Sequence, residues 1–462
     1  MNSMKKLICV LISLFPVVAF AQEGGYKSSP LYNWANVGNT GFSAGSVEYT
    51  SLACSQSDGQ PYVAYSDYVN AYKATVMKFN GENWENVGNA GFSAGYIQFT
   101  SLAFSPSGEP YVGFQDWEDS AKATVMKFDG ANWVNVGNAG FSAGEAWYTS
   151  LAFSPSGEPY VAYMDYGNFY KATVMRFDGT DWQIIGKAGF SDSVVLNTSL
   201  AFSQAGEPYV AYQDMAYSNR ITVMKFNGTS WVNVGNAGFS SDSAGYISLA
   251  FSPSEDQPYV AFQDRQNSQK ATVMKFTGTN WVVVGNAGFS AGEADYTSLA
   301  FNSTGQPYVA FKDWADSQKA TVMQFDGTNW VNVGTEGFSA SHATWTSLTF
   351  SPSGQPYVAY SDFENSGNAT VMSYIPSTGI NESHDSQLSF YPNPATDKIT
   401  IELSGETTEN NLAIVNLEGQ ELIKQKTTDS KTQVDISSLP SGIYFLKITG
   451  ERFSHFEKVI KD

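Results

Sequence analysis

The stretch "LAFSPSGEPYVAYMD" occupies residues 151–165, and near copies, "LAFSPSGEPYVGFQD" (102–116) and "LTFSPSGQPYVAYSD" (348–362), stand on either side of it. Phe, Tyr, Val and Ala fill its two ends, side chains that suit a pleated, half-buried surface. The Ser-Pro-Ser-Gly between them supplies a turn. The stretch reads as an antiparallel hairpin, and it belongs to a unit that recurs every 49 to 50 residues. A tryptophan opens W-x-x-(V/I)-G at Trp34, Trp84, Trp133, Trp182, Trp231, Trp281 and Trp330. Gly-Phe-Ser follows each one, from Gly41-Phe42-Ser43 to Gly337-Phe338-Ser339. Pro-Tyr-Val and Thr-Val-Met each recur seven times as well, starting at Pro61 and Thr75.

Each unit carries four extended runs, named a to d in chain order. Their commonest forms are "TSLAFS", "PYVAYxD", "KATVMKFDG" and "NWVNVGNAGF". The c–d connection is Asn-Gly or Asp-Gly at Asn80-Gly81, Asp129-Gly130, Asp178-Gly179, Asn227-Gly228 and Asp326-Gly327. Such pairs supply the positive φ angles of a tight hairpin. Four-stranded antiparallel units of this length, repeated many times, make a β-propeller. The phase is informative. Run d at Trp34 has no a, b or c before it, and the last a–b–c set, ending at Tyr374, has no d after it. The expectation is an all-β chain with a seven-bladed β-propeller over residues 31–375, whose N-terminal strand closes the last blade. This resembles the overlapping closure of WD-repeat propellers, and it removes exposed sheet edges.

The N-terminus "MNSMKKLICVLISLFPVVAFAQ" has two lysines, a short apolar run and a small-x-small pattern at Ala19-Phe20-Ala21. It reads as a secretory signal peptide over residues 1–21, cut between Ala21 and Gln22. No integral membrane segment is expected once it is gone. Its removal leaves Cys54 as the lone cysteine, a buried thiol where the other copies carry Phe. A formal charge of −19 disfavours nucleic acid as a partner, because like charges repel.

The composition changes after a polar linker at 376–387. "LSFYPNPATDKITIEL", "NLAIVNLEGQELIKQKT" and "TQVDISSLPSGIYFLKIT" alternate like strands, and about seven of them in this length fit a small Ig-like β-sandwich over 388–462. The segment resembles the type A C-terminal sorting domain of the Bacteroidetes type IX secretion system. The resemblance is carried by Tyr391-Pro392-Asn393-Pro394-Ala395, by Val434-Asp435-Ile436 leading into Leu439-Pro440-Ser441-Gly442-Ile443-Tyr444, and by Lys458-Val459-Ile460-Lys461. It implies the type IX secretion machinery as a partner, export through the periplasm to the outer surface or medium, and cleavage in the linker.

No residue is nominated as catalytic or metal-ligating, and no cofactor is expected. The repeat region holds one histidine, His342, too few for a hydrolytic triad or a His-ligated metal. Run b ends at Asp67, Asp116, Asp165, Asp214, Asp264, Asp313 and Asp362. Seven equivalent carboxylates lack the asymmetry that acid–base catalysis needs, so they read as a structural ring accepting backbone N–H bonds. What varies between copies are the b–c and d–a loops, which share one face of a propeller. Tyr68, Trp117, Tyr166, Trp314 and Phe363 open the b–c loops, and Trp147 and Trp345 lie in the d–a loops. Flat rings beside hydrogen-bonding side chains suit a glycan or a surface protein as ligand. A binding or adhesion protein is the first expectation. A carbohydrate-active enzyme (glycosidase or lyase) and a passive surface scaffold are the alternatives.

Overall fold

The computed structural model describes residues 32–376, 388–403, 410–416, 420–449 and 454–462. The expected signal peptide, with Ala21 and Gln22, and nearly all of the linker lie outside the described residues. The chain divides into two compact units between Tyr374 and Ile375.

In the first unit, seven four-stranded antiparallel sheets form among the described residues. They are blades 1 to 6, at residues 47–86, 97–135, 146–184, 195–233, 244–283 and 294–332, and blade 7, which joins 343–376 to 32–36. Blade 3 shows the plan: strand a is Ala146–Phe153, b is Pro159–Asp165, c is Lys171–Phe177 and d is Trp182–Ile184. Blade 7 takes its strand d from Tyr32–Asn36, which pairs with Asn368–Pro376. The Val37 N–H donates to the Val371 carbonyl (2.9 Å), and Phe42 N–H to Ala369. The propeller is closed by its N-terminal strand.

The repeated motifs are interblade joints. The Trp182 ring stacks on Phe141 at 4.2 Å, and its indole N–H donates to the Val136 carbonyl (2.7 Å), both from the preceding unit. Ser142 Oγ in turn accepts the Ala123 N–H (3.0 Å). W-x-x-V-G and Gly-Phe-Ser are thus the two halves of one contact, made seven times and ending with Trp34 on Phe338. Strand d is shorter than its sequence suggests, only three residues in blades 1 to 6. Gly137 ends the extended path at φ +71°, and a Cβ there would sit 2.9 Å from the Phe177 ring. Only glycine fits.

The second unit has seven strands among its described residues. Leu388–Tyr391, Lys398–Leu403 and Lys431–Asp435 form one sheet, and Glu421–Thr427, Asn410–Val415, Gly442–Thr449 and Ser454–Lys461 the other. Ile399, Ile401, Leu412, Ile414, Val434, Leu446, Ile448 and Val459 bury their side chains in one core, the arrangement of a β-sandwich. Asn393 accepts the Ile460 N–H and donates to the Lys458 carbonyl (2.8 Å each), and Ala395 bridges to Lys461. The Tyr-Pro-Asn-Pro-Ala and Lys-Val-Ile-Lys signatures therefore meet in space.

Candidate functional site

Strand a carries a β-bulge in every blade, just before its Ser-Leu; in blade 3 the register shifts between Trp147 and Ser150. The residue two before that Ser turns into left-handed backbone, with φ between 48° and 56°: Tyr49, Phe99, Tyr148, Asn197, Tyr246, Tyr296 and Trp345. A side chain with a Cβ pays roughly 1–2 kcal/mol for that conformation. Asparagine tolerates it best, yet only blade 4 uses it. The other six place an aromatic ring there.

These seven residues, each with its successor, line one depression of about 220 Å³ to which every blade contributes a pair. Neighbouring rings touch around it: Tyr246 to Tyr296 at 4.9 Å, Tyr296 to Trp345 at 4.9 Å, and Trp345 to Tyr49 at 4.3 Å. Tyr49 to Phe99 at 5.1 Å and Phe99 to Tyr148 at 4.8 Å complete the series. The aromatic ring is broken only at Asn197, whose amide donates to Gln213 (2.8 Å). Beneath the rings runs a belt of threonine hydroxyls, each donating to the ring residue's carbonyl in the preceding blade, as Thr149 does to Phe99 (2.5 Å) and Thr346 to Tyr296 (2.6 Å). Ile247 interrupts the belt at Asn197, the same blade junction. Burial raises the Tyr49, Tyr148, Tyr246 and Tyr296 phenols above the usual value, so they stay neutral. The bulge lies near the start of strand a, whose first residue pairs with the Asp ending strand b (Ala146 with Asp165). The depression therefore opens toward the b–c and d–a loops.

Of the ligand residues expected from sequence, Trp345 lies in this axial ring and Trp147 beside it, its ring 6.0 Å from Phe99 and its indole on Glu145. The two tryptophans are not equivalent; Trp345 corresponds to Tyr148. Tyr68, Trp117, Tyr166, Trp314 and Phe363 are 45–56% exposed. Tyr68 and Trp117 are linked through Tyr72 and Tyr96 in a row of ring contacts of 5.2–5.9 Å. Trp314 donates its indole N–H to Asp295 (2.9 Å). The Lys312 ammonium, paired with Asp295 at 2.9 Å and nearly buried, sits over both Trp314 (4.8 Å) and the axial Tyr296 (5.5 Å). Tyr166 packs on Tyr170, and Phe363 faces the exposed His342. The sequence reading missed Tyr49, Phe99, Tyr148, Tyr246 and Tyr296, although an aromatic stands directly before Thr-Ser-Leu or Ile-Ser-Leu in all but one copy. It also missed Phe169, the most exposed large apolar residue of the propeller at 81%.

The seven aspartates are buried, and the hydrogen bonds of most stay within their own blade. Asp67, Asp264 and Asp362 each accept a turn N–H, an Asn amide and a Thr hydroxyl; for Asp67 these are Val69 (3.2 Å), Asn70 (2.9 Å) and Thr75 (2.8 Å). Asp165 takes the Asn168 and Thr173 bonds, Asp214 the Ala216 N–H and Thr222, and Asp116 the Glu118 N–H. Asp313 differs. It accepts N–H bonds from Ala315 and, across the blade junction, Gly292, while its Oδ2 has no partner. No helix among the described residues is long and apolar enough to cross a membrane.

No curated protein matches the chain. Among solved structures it is similar to PorZ of Porphyromonas gingivalis, a bacterial surface component of the type IX secretion system, with 11% identity and a TM-score of 0.46 over 89% of this chain. The chain spans 59% of that structure's length. It is also similar to a PL25 ulvan lyase (11% identity, TM-score 0.49, 73% of this chain and 95% of that one). A third likeness is to the Aleuria aurantia lectin (17% identity, TM-score 0.44, 65% and 99%). Residues 389–462 match the family described as the secretion system C-terminal sorting domain, on the segment whose two signatures pack together. The C-terminal unit is thus a member of that family, and the chain is a propeller-bearing type IX secreted protein sent to the cell surface or the medium.

Proposed function

We propose that the protein binds a glycan at the axial aromatic ring, with the half-exposed loop aromatics around it widening the contact. The observation that carries this reading is the lining itself. Six aromatic faces, six threonines and one asparagine amide surround the depression, and its lining holds no carboxylate, imidazole or ammonium group. Sugar faces stack on such rings while their hydroxyls exchange hydrogen bonds with hydroxyls and amides. Glycoside hydrolysis needs two carboxyls flanking the bond. The strand-b aspartates are buried, most of them bonded within their own blades, and none of them lines the depression.

A carbohydrate-active enzyme is the second reading, favoured by blade 6. There the buried Asp295–Lys312 pair lies directly behind Tyr296 and Trp314, which concentrates irregular polar groups in one blade. The test is a glycan and polysaccharide array with the full chain beside two variants, Tyr49→Ala/Trp345→Ala and Trp117→Ala/Trp314→Ala. Binding lost in the first variant supports the axial site, and binding lost only in the second moves it to the loops. Degradation of a polysaccharide favours the enzyme. No binding by a folded protein overturns the glycan reading and directs the search to surface proteins.

A further inference from the structure

One corner of blade 6 is built differently from its counterparts. In four blades the carboxylate ending strand b has its Oδ2 closed by an asparagine amide three residues on: Asn70, Asn168, Asn267 and Asn365, at 2.8–2.9 Å. In blade 6 that residue is Asp316. The residue before the Gly-Phe-Ser glycine is Thr40, Ala90, Ala139, Ala188, Ala237 or Ala287 elsewhere, and here it is Glu336. Two donor-free substitutions therefore add two carboxylates to one already buried. Oxygens of Asp313, Asp316 and Glu336 lie within 4.8 Å of one another.

Asp313 supplies an observation of another kind. It is fully buried, yet its Oδ2 has no hydrogen-bond partner, and neither does Asp316 Oδ2. The threonine hydroxyl that donates to Oδ2 in five other blades is present as Thr321, but its only bond accepts the Gly337 N–H (2.9 Å). Among the described residues no ion pair reaches the three acids; Lys270 of blade 5 is the basic group acting on Asp313. A buried anionic oxygen without a donor is expensive. Asp165 Oδ1 in blade 3 is also unpartnered, but among the described residues only at Asp313 do two further carboxylates stand beside such an oxygen, where a bound cation would offset the cost. Blade 2 marks the difference: it has the acid Asp119 at the Asp316 position but Ala139 in place of Glu336, and so lacks the third carboxylate.

We propose that Asp313, Asp316 and Glu336 form a divalent cation site, and that calcium is the ion it takes. Three oxygen donors from a strand end and two loops suit a hard ion that tolerates irregular coordination, and extracellular calcium modules work at 10⁻⁴–10⁻³ M, as roughly expected here.

The test is thermal unfolding of the chelator-stripped full chain titrated with calcium chloride, with terbium luminescence as a second readout. The wild type should gain several degrees in Tm, saturating near millimolar calcium. Asp316→Asn should weaken that response at least tenfold while raising the calcium-free Tm, because it restores the amide found in four other blades. Glu336→Ala should also lose the response, and Asp119→Asn in blade 2 should keep it. The proposal is overturned by a wild type indifferent to calcium and terbium, or by an equal response in Asp316→Asn and Glu336→Ala. A calcium-independent protein whose stability falls as pH rises through the carboxylate range would instead show that the three acids share a proton.

Discussion

The interblade joints and the loop face come from the same seven repeats, yet they spend their residues in opposite ways. At the joints every copy is alike: a Trp ring on a Phe ring at 4.0–4.3 Å, an indole N–H on a carbonyl, a Ser Oγ on strand c. Around the axis and in the b–c loops the backbone repeats but the side chains do not, and strained positions carry bulky rings. Identity where blades touch fixes the sevenfold closure, because one poor joint would open the ring. Variety where blades face outward has no such constraint. Chemistry is therefore to be sought on the loop face, and stability at the joints.

The largest expected effect breaks a joint. Trp182→Ala removes a buried ring and its hydrogen bond and should cost about 3–5 kcal/mol. Trp34→Ala removes the same contact from the terminal strand that closes blade 7, and it should lower the calorimetric Tm further by freeing that strand. If Trp34→Ala unfolds no earlier than Trp182→Ala, the terminal strand contributes no extra closure. Next comes Asp264→Ala, which leaves the Gln266 N–H, the Asn267 amide and the Thr272 hydroxyl without their acceptor, at roughly 2–3 kcal/mol. Urea midpoints would read it.

How far the sequence is legible follows the same division. The joints are written as fixed motifs, so blade number, closure and strand order all follow from counting Trp34 to Trp330 against the last Thr-Val-Met. The axial ring is written too, as the aromatic before Thr-Ser-Leu, but strict alternation misplaces it. A bulge adds one residue to strand a, and in blade 3 no glycine announces it, so Tyr148 turns to the axis and Trp147 does not. Strand d was over-read because Gly137 and its equivalents end it by steric need, which only the neighbouring Phe and Trp rings reveal. Asp313 looked like its six counterparts because its difference lies in Asp316 and Glu336, one of them in another loop.

Strand b sharpens the comparison by pH. Tyr65, Tyr163, Tyr212 and Tyr360 are almost wholly buried, and burial first, then the nearby strand-b aspartate, raises each phenol well above 10. A raised acid favours the native state below its unfolded pKa, so stability should be whole below about pH 10 and fall above it, by about 1.4 kcal/mol per group per pH unit. Blades 2, 5 and 6 carry Phe114, Phe262 and Phe311 at the same position. Replacing the four tyrosines with Phe should flatten the alkaline limb and leave neutral-pH stability nearly unchanged. At the axis the balance is closer. Tyr296→Asn relieves the left-handed strain but loses two ring contacts, so stability should move by no more than about 1 kcal/mol. A folded variant with undiminished ligand binding would remove Tyr296 from the site.

The smallest effect tests a second interblade contact, made in six copies and altered in the seventh. Six times a strand-b tyrosine meets the strand-a phenylalanine of the next blade edge to face, as Tyr62 meets Phe104 at 5.0 Å and Tyr308 meets Phe350 at 5.0 Å. At the seventh position, across the seam where blade 7 meets blade 1, Tyr357 has Cys54 beside it. Cys54 is buried and its thiol is pushed up to about 12, chiefly by burial, so it should resist thiol reagents until the protein unfolds. Its register matches the others, Cys54 on Pro61 as Phe104 is on Pro110. Cys54→Phe should therefore complete the seventh pair and gain roughly 0.5–1 kcal/mol. A loss instead would mean overpacking, and so a seam closed more tightly than the other six joints. In that case the small side chain at 54 is what lets the terminal strand finish the ring.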